Sequence, residues 1–196
     1  MTSPPLILLA PGAGAPSTSP WMRRWEGHLS TLGEVETLDY PYAKAGRRRP
    51  DPLPALLAAH REALGVARAG HRGPVVLAGK SMGSRVGCHL SLEEDVAALV
   101  CLGYPLVGRR GSVREEVLLA LRTPVLFVQG TRDPLCPLER LEAVRARMAA
   151  PSALHRIEGG DHSLEVSAAA LRAAGETQAD VEARALEAVR AFLAQR

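Results

Sequence analysis

Cysteine is scarce in this chain of 196 residues: Cys88, Cys101 and Cys136 stand alone along the sequence. An odd number of cysteines with no C-x-x-C spacing argues against a disulfide framework or a thiolate metal site, and leaves three small, reduced, apolar side chains. Long apolar runs are also missing. The stretch from Leu6 to Ala10 is too short to cross a bilayer and has no basic segment ahead of it, so neither a membrane span nor an export signal is expected, and the cytoplasm is the expected location. Charge of one sign is slight, at +3 formally, and aromatic residues make up only 4%. The basic triplet Arg47-Arg48-Arg49 has no aromatic or basic stripe beside it and reads as a solvated loop; nucleic acid is not an expected partner. Internal repeats and low-complexity linkers are absent.

What is present is an ordinary globular composition, 46% hydrophobic and 23% charged, over about one domain's length, so a single domain over 1–196 is expected. Short apolar runs alternate with longer amphipathic stretches, the pattern of β-α-β crossovers. Strands are expected at Leu6–Ala10, Val35–Leu38, Val75–Ala78, Ala97–Leu102, Val125–Gln129 and Leu154–Ile157. Helices are expected at Pro20–Leu32, Leu53–Ala69, Met82–Ser91, Val113–Leu121, Leu138–Met148 and Gln178–Ala194. The fold class is therefore α/β: a three-layer αβα sandwich around a mostly parallel six-stranded sheet. In such sheets ligands bind beyond the strand C-termini, and functional residues should follow strands. The segment from Gly103 to Thr123 is short, so no cap domain is expected over that edge.

The strand ending at Ala78 runs into Gly79-Lys80-Ser81-Met82-Gly83, and a helical pattern follows. This is G-x-S-x-G between strand and helix, where a sharp turn exposes a serine hydroxyl and glycines relieve crowding. A helix-capping serine would use the same residues. The fifth strand leads to Gly130-Thr131-Arg132-Asp133-Pro134, where Asp133 either orients a base or shapes an Asp-Pro turn. The sixth leads to Gly159-Gly160-Asp161-His162-Ser163. Each signal alone is weak, but serine, aspartate and histidine following successive strands in that order is the α/β-hydrolase arrangement. Ser81 is then the nucleophile, Asp133 the acid and His162 the base; Asp161, adjacent to His162, is the rival acid.

An oxyanion hole needs backbone N–H donors from the residue after the nucleophile and from the loop after an early strand, here Met82 and Ala13. A phosphate-binding turn is the weaker reading of Gly12 and Gly14, because neither G-x-G-x-x-G nor G-K-[ST] is present, and Asp39 is the sole acidic candidate at the second strand. Trp21, Met22, Tyr104, Leu106 and Leu135 are candidates for lining the substrate pocket.

The segments Leu9–Ala15, Gly46–Pro50, Gly79–Arg85, Gln129–Asp133 and Gly160–Ser163 together resemble the small α/β-hydrolases of the testis-expressed protein 30 type, relatives of the dienelactone hydrolase group, over almost the whole chain. The resemblance implies a minimal hydrolase fold with Ser81, Asp133 and His162 as its triad. One departure is Pro11-Gly12, where these hydrolases commonly have His-Gly. The expected activity is a cofactor-free, metal-free serine hydrolase acting on a small-molecule ester or thioester. The alternative is a noncatalytic interaction module on the same fold.

Overall fold

The computed structural model describes residues 3–108 and 111–195. Six strands, β1 (Leu6–Ala10), β2 (Glu34–Thr37), β3 (Val75–Lys80), β4 (Ala98–Leu102), β5 (Val125–Gly130) and β6 (Ser152–Ile157), form one sheet in the order β2-β1-β3-β4-β5-β6, with every neighbouring pair parallel. The interior strands are apolar on both faces because both faces are covered: every residue of β1, β4 and β5 is buried. On the edge, β2 alternates between exposed and half-buried residues.

Helices α1 (Pro20–Leu29), α2 (Pro41–Lys44), α3 (Leu53–Arg68), α4 (Met82–Leu90), α5 (Glu116–Ala120), α6 (Leu138–Arg145), α7 (Ala168–Ala174) and α8 (Gln178–Leu193) complete the element order. The core is correspondingly double. One cluster, from Leu8 and Leu77 through Tyr104 to Phe127, packs under α3, α4, α5 and α6. The other joins Ile7, Val76 and Val100 to Trp25, Val189 and Phe192 of α1 and α8.

Five helices depart from expectation, two of them by ending early, α1 at Leu29 instead of Leu32 and α6 at Arg145 instead of Met148. The helix expected from Val113 begins at Glu116, because the preceding segment is held as a small hairpin: Val107 bridges Val113 antiparallel, Gly108 N–H donates to Ser112 O at 2.7 Å, and Arg114 N–H donates to Leu106 O at 2.8 Å. The one-turn α2 is too short to show a period. α7 is framed by local chemistry, with Ser167 Oγ accepting from Ala170 N–H at 3.3 Å and Gly175 closing it at φ 66°. Between β4 and β5 the described residues form only this hairpin and α5, so the C-terminal edge of the sheet is uncapped there.

Candidate active site

The turn from β3 into α4 puts Ser81 at φ 49°, ψ −111°, a backbone strained for any residue with a side chain. Its surroundings over-determine that conformation. A Cβ on Gly79 would lie 2.8 Å from Ser84 Cα, and one on Gly83 would lie 2.7 Å from Pro11 O, so helix and strand approach more closely than any larger residue permits. Ser81 N–H extends the β4 ladder by donating to Leu102 O at 3.0 Å, and Ser84 Oγ donates to Ser81 O at 2.6 Å. The Ser81 hydroxyl is left standing above the sheet edge.

His162 Nε2 lies 2.7 Å from Ser81 Oγ, and His162 Nδ1 lies 2.7 Å from Asp133 Oδ2. An ionised carboxylate only accepts, so Nδ1 carries the proton and Nε2 presents its lone pair to the serine. The Asp133 carboxylate is buried, at 3% exposure, and each of its oxygens is held: Gln129 Nε2 donates to Oδ2 at 2.5 Å and Leu135 N–H to Oδ1 at 2.8 Å. Such donors offset the cost of burying its charge. Asp161 is engaged elsewhere, with Oδ1 accepting from Ser163 N–H at 2.7 Å and Glu165 N–H at 3.0 Å. It shapes the histidine loop and does not face the imidazole.

Lys80 braces that loop from behind. Its Nζ donates to His162 O at 3.1 Å and Ser163 Oγ at 3.2 Å and lies 4.7 Å above the Trp21 ring, whose Nε1 donates to Ser163 O at 2.8 Å. Burial pulls the Lys80 pKa down, against the opposing pull of Asp161, Asp133 and Glu165. Gly103, at φ 66°, lets β4 end close under the loop, since a Cβ there would lie 2.6 Å from His162 O.

On the opposite side, the loop after β1 is held by Tyr42: Gly14 N–H donates to its hydroxyl at 3.2 Å, and that hydroxyl donates to Gly12 O at 3.5 Å. Asp39 binds the same loop further on through Ser17 N–H at 2.7 Å and Ser17 Oγ at 2.8 Å. Ala13 and Met82 both border the pocket on Ser81. As the first residue of α4, Met82 has an N–H with no acceptor inside its helix.

That pocket has a volume of about 420 Å³. Of the five side chains expected to line it, Leu135 does so, 38% exposed. Met22, Tyr104 and Leu106 do not, because they lie in the two cores, and Trp21 is spent on the histidine loop. Pro105, Arg85 and Arg114 line it instead. A larger cleft of about 660 Å³ runs along β2 past Glu34, Asp39 and His71, and contains none of Ser81, Asp133 and His162. Sequence reasoning missed Gln129, Lys80, Tyr42 and the two arginines. Gln129 alone carried a signal, as the single polar side chain in the apolar run of β5.

A family model for an alpha/beta hydrolase domain matches residues 3–194. Among solved structures, Est1E from Butyrivibrio proteoclasticus with ferulic acid bound has a TM-score of 0.72 at 18% identity, over 98% of this chain and 89% of that one. Dienelactone hydrolase from Anabaena variabilis scores 0.65 at 20% identity, over 92% and 85%. A serine hydrolase without a lid from Xanthomonas campestris scores 0.68 at 17% identity, over 89% and 80%. At these identities the likeness is one of fold.

Proposed function

The chain belongs to the alpha/beta hydrolase domain family, and from that premise we propose that it is a carboxylesterase-like serine hydrolase, cleaving a small or medium carboxylic ester or a thioester through an acyl-enzyme on Ser81. The observation that carries this reading is the unbroken relay of Ser81 Oγ, His162 and Asp133 at two successive distances of 2.7 Å. The motif resemblance to the testis-expressed protein 30 type, the esters implied by a dienelactone hydrolase relative and the uncapped edge support it. A cytoplasmic location, with three buried unpaired thiols, belongs to the same proposal.

His162 Nε2 takes the hydroxyl proton as Ser81 Oγ attacks the ester carbonyl carbon, and the carbonyl π pair moves onto oxygen, where the Met82 and Ala13 amides hold it. Collapse breaks the bond to the leaving oxygen or sulfur, which takes the proton from His162. Water then attacks the acyl-enzyme with His162 again as base, releasing the acid and restoring Ser81. Asp133 holds the imidazole and stabilises its cation throughout.

Fluorophosphonate labelling and hydrolysis of 4-nitrophenyl acetate and butyrate test this. Wild type is expected to label and turn over. Ser81→Ala should lose labelling, with kcat down by about 10⁴-fold or more, as removal of a triad nucleophile commonly gives. A folded wild-type protein that neither labels nor turns over would make the fold an interaction module instead.

A further inference from the structure

Two guanidiniums border the pocket beside Ser81, and neither takes part in the relay. Arg85 stands one turn along α4 from the nucleophile, its N–H donating to Ser81 O at 3.2 Å. Its side-chain Nε is buried without a hydrogen-bond partner among the described residues, while the residue itself borders the pocket. Arg114 arrives from the hairpin between β4 and α5. Its guanidinium lies close to Gly108, where a Cβ would meet Nε at 2.7 Å and Nη2 at 3.0 Å.

The charges do not cancel within the pocket. Asp51 also borders it, but its Oδ1 is already paired with Arg47 Nη1 at 2.8 Å. Glu116 attracts Arg85 only from a distance, while Arg114 repels it, so that burial first and this repulsion second push the Arg85 pKa down. Neither arginine has an ion pair among the described residues. Two like charges converging on a small pocket, with donors to spare, are complementary to planar oxyanions, which guanidinium binds in a bidentate fork.

We infer that Arg85 and Arg114 form a carboxylate subsite beside Ser81, so that the substrate is an ester or thioester that itself carries a carboxylate. This rests on the serine hydrolase reading and narrows it to acidic esters. With the carboxylate on the arginines, the scissile carbonyl is held over Ser81 by ion pairs at a fixed distance, which supplies orientation that a pocket of this size and openness otherwise lacks.

The test compares kcat/KM for acidic esters with neutral counterparts: monomethyl glutarate against methyl pentanoate for an acid on the acyl side, and carboxymethyl butyrate against propyl butyrate for one on the alcohol side. In wild type one acidic ester should exceed its counterpart by about tenfold or more, the scale of charge-assisted hydrogen bonds. Arg85→Met and Arg114→Met should each bring that ratio down by about tenfold, and Arg114→Lys should restore part of it. Should Arg85→Met misfold, Arg114→Met on the hairpin gives the same readout.

A wild type that labels with fluorophosphonate but favours neither acidic ester overturns the subsite and leaves the hydrolase standing. If nothing labels, the hydrolase reading falls and calorimetric titration with glutarate decides the subsite alone. Binding lost in Arg85→Met supports it, and no binding to wild type overturns it.

Discussion

Asp133 is set by a residue four positions earlier. Gln129 Oε1 accepts from Tyr104 N–H at 2.9 Å while its Nε2 donates to Asp133 Oδ2 at 2.5 Å, so one amide ties the end of β4 to the acid of the relay. Gln129→Leu keeps the apolar character of β5 but strands a buried N–H and removes one donor from the carboxylate. The expected loss is about 1–3 kcal/mol of stability for the unpaired groups. Where the variant is still folded, fluorophosphonate labelling should slow by about tenfold or more, because a partner that orients a functional group is commonly worth that much. Urea denaturation and labelling kinetics on one preparation check both, and an unchanged labelling rate would mean that Leu135 N–H suffices to hold Asp133. Ser81, Asp133 and His162 were legible because each follows its strand along the chain. Gln129 stood out as the polar side chain of β5, but its role was not legible because it depends on Tyr104, a contact 25 positions away that only strand pairing creates.

Among elements, the strands read well and the helices less so, for different physical reasons. Strands buried on both faces are short apolar blocks bounded by glycine, proline or charge, and those bounds survive folding to within two residues. The hairpin that consumed Val113 is a tertiary effect, since Val113, which local periodicity joins to the helix after it, bridges instead to Val107. The same limit concealed α2, whose four residues exist to deliver Tyr42 beneath the loop after β1. Burial drives the Tyr42 pKa up, so its hydroxyl stays neutral and keeps both its donor and acceptor roles. Tyr42→Phe frees Gly14 N–H and Gly12 O and should loosen the loop that carries Ala13. The expected outcome is a fall in kcat of about three- to tenfold with little change in KM, since oxyanion contacts strengthen in the transition state. Steady-state kinetics on 4-nitrophenyl butyrate read this directly, and an equal kcat would exclude Ala13 from the oxyanion hole or show the loop to be held without Tyr42.

At the scale of the whole molecule, stability and activity share an unexpected titrating group. His60 of α3 is fully buried between Tyr40 and α4, with Nδ1 3.2 Å from the Tyr40 hydroxyl and Nε2 without a partner among the described residues. Burial pulls its pKa from 6.5 down to about 4. The native state therefore refuses a proton that the unfolded chain accepts, and unfolding is favoured as that proton becomes available. The stabilisation is complete above pH 6.5 and drains away as pH falls from 6.5 towards 4. Its full size is about 3 kcal/mol, of which about 2 is gone by roughly pH 5. His89 and His155, lowered chiefly by burial, add to the slope in the same direction. Urea denaturation at about pH 7.5 and about pH 5 should show wild type losing at least this much, and His60→Phe, which keeps a ring but not the titration, should lose about 2 kcal/mol less. Equal slopes in the two proteins would remove His60 from the account. The consequence reaches the active site, because α3 packs on α4 and α4 begins at the nucleophile. A labelling profile from about pH 7.5 to about pH 5, repeated in His60→Phe, reads this: whatever part of a fall disappears in the variant belongs to folding.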